Sequence, residues 1–176
     1  MSGRICRAAG AALGLIALSQ PYAAYGQACV PQADLSAGIV YAMPLIVQAV
    51  EGRCSATLQT DGYLALQGDE LKAKFAAHQD GAWPGALRLL GQFAGSEDPS
   101  FGQLMQSLPE DALRPFVDAI VIEKIGAEIK PRDCSRIERG LQLLEPLPAT
   151  GTAELIAFLA SMTKSKDIAI CPTDGE

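Results

Sequence analysis

DLSAGIVYAMPLIVQAVEGRC, residues 34–54, decides the fold. Within it Leu35, Ile39, Met43, Ile46 or Val47, and Val50 recur at three- and four-residue intervals, and Cys54 falls on the same stripe. That spacing lines apolar side chains along one side of an α-helix. Asp34 and Ser36 each carry a side-chain oxygen suited to capping its start. Pro44 lacks the amide hydrogen that an interior turn uses, so the segment is expected to be kinked there or divided into two helices. Cys54 then points toward the core, close to where the chain turns.

Reading outward from this stretch, the same period returns almost everywhere. Asp61-Gly62 signals a turn, Tyr63-Leu64-Ala65-Leu66 is a short extended piece or, by preference, the start of a helix, and Gly68-Asp69 reads as the start of a clearer one carrying Leu71, Phe75 and His78. Asp80-Gly81 is expected to end it. Pro84 suits the first turn of a helix that carries Leu87, Leu90 and Phe93 or Ala94 and closes at Gly95. Gly95–Ser100 reads as a loop, followed by a short helix around Phe101–Ser107. Pro109-Glu110-Asp111 has the proline and acids of a helix N-terminus, and Pro115 is expected to restart the helix. The broad stripe of Phe116, Val117, Ile120, Val121, Ile125 and Ile129 suggests the central helix of the core. Lys130-Pro131 stops it. Asp133 is expected to cap a helix with Cys134, Ile137, Leu141 and Leu144 on one side, ended at Pro146 and Pro148. A last helix begins near Thr152, with Leu155, Ile156, Leu159 and Met162 expected to face inward. Ile168–Pro172 then returns an apolar tail to the body. The fold class is therefore all-α: an irregular bundle of about six short helices, separated by prolines and glycines and stapled by two disulfides.

Residues 1–26 read as a signal peptide, leaving residues 27–176 as a single helical domain with a short flexible C-terminal tail. Arg4 and Arg7 supply the positive end, Ala8–Leu18 is almost wholly apolar, and Pro21 breaks the run. Ala24 and Gly26 set up cleavage before Gln27, and Gly26 with Ala28 offers a second site before Cys29. The apolar run is well short of the roughly 20 residues that span a bilayer, so removal is expected, with no stable membrane span afterwards. Lipid attachment at Cys29 is disfavoured, because Gly26-Gln27-Ala28 lacks the large aliphatic residue that bacterial lipoprotein sites carry.

Of the five cysteines in the chain, Cys29, Cys54, Cys134 and Cys171 lie beyond the leader. In an exported protein an even set of this kind implies disulfides. Four cysteines allow three pairings, and sequence-local pairing is preferred here: Cys29 with Cys54, and Cys134 with Cys171. No Cys-x-x-Cys exists, so neither thioredoxin-like redox chemistry nor covalent haem attachment is expected.

Removal of Arg4 and Arg7 with the leader leaves 12 basic against 20 acidic residues, a net charge of −8. Such a chain repels phosphate backbones, and nucleic acid is not expected as a partner. The cations Lys130, Arg132, Arg136 and Arg139 are interleaved with Glu128, Asp133 and Glu138, as on a solvated helix face. No asparagine occurs, so no N-glycosylation sequon exists. The richness in Ala, Gly and Leu fits a bacterial source.

His78 is the only histidine, which removes every site built from two or more. A catalytic triad would have to use it, and no Gly-x-Ser-x-Gly elbow supplies the serine. Ser161-Met162-Thr163-Lys164 matches the Ser-x-x-Lys pattern of penicillin-binding enzymes without its companion elements. The acid pairs Asp69-Glu70, Glu97-Asp98 and Glu110-Asp111 read as helix N-terminal charges rather than glycosidase carboxylates. Trp83, with Phe75 and Phe93, reads as core. The sequence thus proposes no catalytic, metal or cofactor-binding residues and no cofactor. It favours a periplasmic or secreted, non-enzymatic binding or interaction module of the bacterial envelope, whose partner is an envelope protein or a small ligand and whose oligomeric state is open. The rival readings are an exported hydrolase using His78, Asp80 and a distant serine, and a small periplasmic stress chaperone that exposes an apolar patch.

Overall fold

The computed structural model describes residues 29–97, 102–104, 107–163 and 169–171. Residues 1–28, the second half of the loop expected at 95–100, part of the short helix expected at 101–107, and the segments 164–168 and 172–176 lie outside these; residues 95–97 continue a helix instead of opening the loop. Among the described residues there are six helices of seven residues or more: α1 (Gln32–Cys54), α2 (Tyr63–Ala76), α3 (Gln79–Glu97), α4 (Glu110–Glu128), α5 (Cys134–Leu144) and α6 (Ala149–Met162). A single 3-10 turn, Pro131–Asp133, leads into α5. The all-α bundle with two disulfides is the fold expected, but its centre is elsewhere.

The central helix is α1, not α4. α1 packs against α2, α3, α4 and α6, whereas α4 packs chiefly on α1. The reason lies in how far round each helix is apolar. Every residue from Ile39 to Val47 is apolar, and Val40, Tyr41, Met43, Pro44, Leu45, Val47, Ala49 and Val50 are all buried. A helix apolar all round needs neighbours all round. α1 is also long and apolar enough to cross a membrane, yet 56% of that apolar window is buried inside the domain.

Two apolar clusters share α1 as their common wall. In one, Met43, Val47, Val50 and Cys54 meet Leu64, Leu71 and Phe75 of α2, Cys134 and Leu141 of α5, and Ile129. In the other, Val40, Tyr41 and Leu45 meet Ala82, Trp83 and Ala86 of α3, Leu113 and Val117 of α4, and Ala153 of α6. Trp83 and Phe75 are core residues, as expected.

Proline and glycine mark fewer boundaries than their usual roles imply. α1 runs undivided through Pro44, α3 through Pro84 and α4 through Pro115. Each proline removes one backbone hydrogen bond, and the packing of these long helices outweighs that loss. Just before Pro44 in α1, Gln79 Nε2 donates to the Tyr41 carbonyl at 2.9 Å. Gly68 and Gly81 likewise sit inside α2 and α3, and no helix ends at Asp80-Gly81. Gly68 and Gly85 serve close approach instead. A Cβ on Gly68 would strike the Glu51 carboxylate of α1, and one on Gly85 would lie 2.5 Å from the Ala37 Cβ.

The expected caps also differ. α1 begins after Pro31 with no side-chain cap. Asp34 instead lies buried in the first turn, 5% exposed, and receives the Arg88 guanidinium of α3 through Nε at 3.1 Å to both oxygens and Nη2 at 2.6 Å. Asp133 occupies the cap position of α5 without a capping hydrogen bond, and its carboxylate faces Arg136 at 3.7 Å. The N-terminus of α2 is served from a distance, by Glu138 Oε1 accepting from the Leu64 amide at 3.0 Å.

The disulfides overturn the preferred pairing. Cys29 is joined to Cys171 and Cys54 to Cys134, across 142 and 80 positions of sequence. Cys54 ends α1 and Cys134 begins α5, and both are fully buried in one cluster, so the core brings them together before either reaches a chain end. The two ends then have only each other. Val30 and Ile170 form a parallel bridge, with the Val30 amide donating to the Ala169 carbonyl at 2.7 Å and the Cys171 amide to the Val30 carbonyl at 2.9 Å. By loop-closure entropy, bridges over rings of this size contribute about 4 to 5 kcal/mol each.

Two outcomes follow from this packing. Gly91, with nothing near its would-be Cβ, and Gly85 form a matched pair in α3. Denaturant titration should show Gly91→Ala stabilising by about 0.5–1 kcal/mol and Gly85→Ala destabilising by about 1–3 kcal/mol, because the Ala37 methyl, which has no rotamer to yield, meets the new one. Cys29 and Cys171 are half-buried while Cys54 and Cys134 are inaccessible. Limited reduction with alkylation and peptide mapping should label Cys29 and Cys171 first.

Candidate functional site

The side chains proposed from sequence for catalysis do not converge. His78 is exposed in the turn between α2 and α3, and lines a surface concavity of about 280 Å³ with Ser36 of α1 and with Thr150 and Glu154 of α6. Asp80 is not part of it. Its carboxylate accepts from Arg114 Nη1 at 2.7 Å on another face. Ser161 Oγ donates to the Phe158 carbonyl at 2.6 Å, and Lys164 lies outside the described residues. Of the acid pairs, Glu110-Asp111 opens α4 as expected. Asp69-Glu70 sits in the middle of α2, where Asp69 holds Lys72 at 2.8 Å, and the bond keeps its carboxyl below the usual range. Glu97 ends a helix rather than beginning one. Lys130, Arg132, Arg136 and Arg139 are all exposed, as on a solvated face. No group of three His, Cys, Asp or Glu among the described residues is placed to hold a metal ion.

The densest polar-aromatic cluster joins α1, α3 and α4. The Tyr41 and Trp83 rings lie 5.0 Å apart, tilted by 41°, and the Arg114 guanidinium lies over both, 5.8 Å and 5.3 Å from their centroids. The Tyr41 hydroxyl donates to Asp118 Oδ1 at 2.5 Å. Burial raises the Tyr41 phenol well above its ordinary range, and the Asp118 carboxylate adds to this against the opposing pull of Arg114. Trp83 and Arg114 also line a concavity of about 400 Å³ with Asp80, Asp111 and Pro115. The guanidinium fills the aromatic face and is itself held by Asp80, so the group acts as a clamp between three helices.

The unusual surface is α6. Its sequence, ATGTAELIAFLASM, carries one charge, Glu154, in 14 residues. The side turned to the domain is made of small residues: Ala149, Thr152, Ala153 and Ala157 are buried. Thr152 Oγ1 donates to the Pro148 carbonyl at 2.9 Å, which removes its polarity from the contact. Small side chains let two helix backbones approach closely, and a leucine on that side would force them apart. The large apolar residues are therefore displaced to the opposite side. Leu155 is 46% exposed, Phe158 50%, Leu159 52% and Met162 67%. This corrects the expectation that Leu155, Leu159 and Met162 face inward; Ile156 is half-buried between the two sides.

At about 100° per residue the apolar and small side chains of α6 span an arc of about 260°, and Thr150, Glu154 and Ser161 occupy the remainder. One packing neighbour covers roughly a 100° stripe. The excess is the exposed row of Leu155, Phe158, Leu159 and Met162, at the i, i+3, i+4, i+7 spacing of a helix-docking face. The sequence signals were present: a near absence of charge and a small-residue repeat at three- to four-residue spacing. Taking size alone as the mark of the inward face misassigned them.

No protein-family model matches the chain, and neither a curated protein nor a solved structure is significantly similar to it.

The Tyr41 clamp has a measurable alkaline consequence. The folded domain binds the phenolic proton more tightly than the unfolded chain does, so this contribution to stability is complete below about pH 10 and declines as pH rises toward the folded-state value. Tyr41→Phe should lose about 1–3 kcal/mol at neutral pH, with Asp118 left without its donor. Urea midpoints above pH 10 should fall more shallowly for Tyr41→Phe than for the wild type.

Proposed function

We propose that this chain is an exported bacterial envelope protein, periplasmic or secreted, whose domain is a non-enzymatic interaction module working through the outer face of α6. The observation that carries this reading is the row Leu155, Phe158, Leu159 and Met162, 46–67% exposed along one side of an almost uncharged helix. Isolated exposed apolar residues need no explanation, but a contiguous row does. The two disulfides are compatible with an oxidising compartment, and they support export together with the leader-like order of residues 1–26. The dispersal of His78, Asp80 and Ser161 over separate environments weighs against the hydrolase reading.

The stress-chaperone reading is favoured by the same row, since a holdase needs exposed apolar surface. The two differ in selectivity: a module engages one partner surface, whereas a holdase engages many unfolded chains.

A photocrosslinking amino acid placed at Leu159, and as a control at Arg136 on the solvated face, separates them in intact cells. Discrete adducts from position 159 and none from position 136 are expected. A broad smear, with suppression of aggregation of a heated reporter protein by the purified domain, would favour the chaperone. No adduct at 159 would overturn both.

A further inference from the structure

We infer that the wedge between α4 and α5 binds a single-chain anionic amphiphile, with its aliphatic tail on Ile125, Ile129 and Ile137 and its carboxylate or phosphate head against Lys124 and Lys130. The site uses no residue of α6 and stands apart from the interaction reading above.

The wedge follows from the packing. α4 packs chiefly on α1, whereas α5 packs on α2 and α1, so the two helices diverge from the elbow that joins them. The elbow itself is tight. Ile129 leaves α4 in an extended conformation with its amide still bonded to the Ile125 carbonyl, and the 3-10 turn Pro131–Asp133 starts the return into α5. A concavity of about 380 Å³ remains between the last turn of α4 and the first turn of α5, with Ile125, Ile129 and Ile137 as its floor. Ile129 is buried, and Ile125 and Ile137 are half-buried against the cluster that holds the Cys54–Cys134 bridge. The volume is at the small end of ligand pockets. Among the described residues that line it, none carries an aromatic or an uncharged polar side chain. Branched aliphatic walls of this kind offer contact without direction, which suits an alkyl chain and not a sugar or a nucleobase.

The head group is selected by charge. Lys124 and Lys130 line the same concavity. Arg53 is brought to the elbow by its Nε, which donates to the Ile129 carbonyl at 3.3 Å. Two of the acids that alternate with the cations in sequence are engaged elsewhere. Glu138 turns to α2, where it accepts from the Leu64 amide, and Asp133 is shared by Arg132 at 3.9 Å and Arg136 at 3.7 Å. Glu128 stays on the rim and opposes an anion there. Arg53 together with residues 124–137 holds five cations against two acids, a local charge of +3, whereas the rest of residues 27–176 holds seven against 18, or −11. A pattern that alternates in sign along the sequence thus becomes a cationic corner on an acidic domain. The acidic remainder repels an anionic bilayer, so the amphiphile is taken up as a single molecule and not from a docked membrane surface.

Isothermal titration of the mature protein, both disulfides intact, with sodium decanoate, decanol and decyltrimethylammonium tests this. One decanoate per chain is expected to bind, about five- to tenfold more tightly than decanol, with the cationic amphiphile no tighter than decanol. Each methylene lost between decanoate and octanoate should weaken binding about two- to fourfold, and added salt should weaken decanoate but not decanol. Lys124→Gln with Lys130→Gln alters two exposed side chains, and circular dichroism should show the variant folded. In it decanoate should fall to the level of decanol. Glu128→Gln removes the opposing acid and should tighten decanoate a few-fold, a gain that general damage to the fold does not produce.

Decanoate that binds no better than decanol, or that keeps its affinity in the double lysine variant, overturns the site. A protein that ignores decanoate but floats with phosphatidylglycerol vesicles overturns it as well.

Discussion

The structure depends on the burial of α1 on nearly all sides. A helix with nine consecutive apolar residues, Ile39 to Val47, cannot be stable in water with one side open, and the other helices are arranged to close over it. Close approach is what makes this possible for a chain of this length. Gly68 and Gly85 let α2 and α3 press against α1, and Ala149, Ala153 and Ala157 form the inner side of α6. Along these contacts Gly68, Gly85 and the buried Pro44 serve as packing residues, while Pro84 and Pro115 lie exposed within helices that have too much buried surface elsewhere to end there.

The covalent frame follows from the same core. Cys54 lies at the far end of α1 and meets Cys134 at the start of α5, inside the cluster that holds Leu64, Leu71 and Phe75. The second bridge, with the Val30–Ile170 pairing beside it, closes the two ends of the domain onto each other. One disulfide thus locks the interior and the other fastens the periphery. Polar contacts add direction: Arg88 fixes the buried Asp34 of α1 to α3, and the Tyr41, Asp118 and Arg114 group ties α1 to α4.

The exposed apolar face of α6 is a by-product of that close packing. Filling the narrow space beside α1 with alanine and threonine sends the bulky residues of α6 outward, where α1 cannot cover them. A sequence under selection only for solubility would place charges at those positions. Their apolar character is the physical case for a partner there.

How much was legible divides along the range of the forces involved. Local periodicity and cysteine content were enough for an all-α domain with two disulfides, for Trp83 and Phe75 in the core, and for Glu110-Asp111 at a helix start. The identity of the central helix was present in the unbroken run from Ile39 to Val47, but a stripe reading favoured the 116–129 segment. Disulfide pairing, the continuation of helices through three prolines, and the outward side of α6 were decided only by tertiary structure. Each depends on which surfaces meet across many residues of sequence, and local spacing carries no information about the width of the gap between two helices. In α6 the sequence by itself determined that one helix would be apolar on more than one side. Only the packing of its alanines on α1 decided that Leu155, Phe158, Leu159 and Met162 would be the residues left in water.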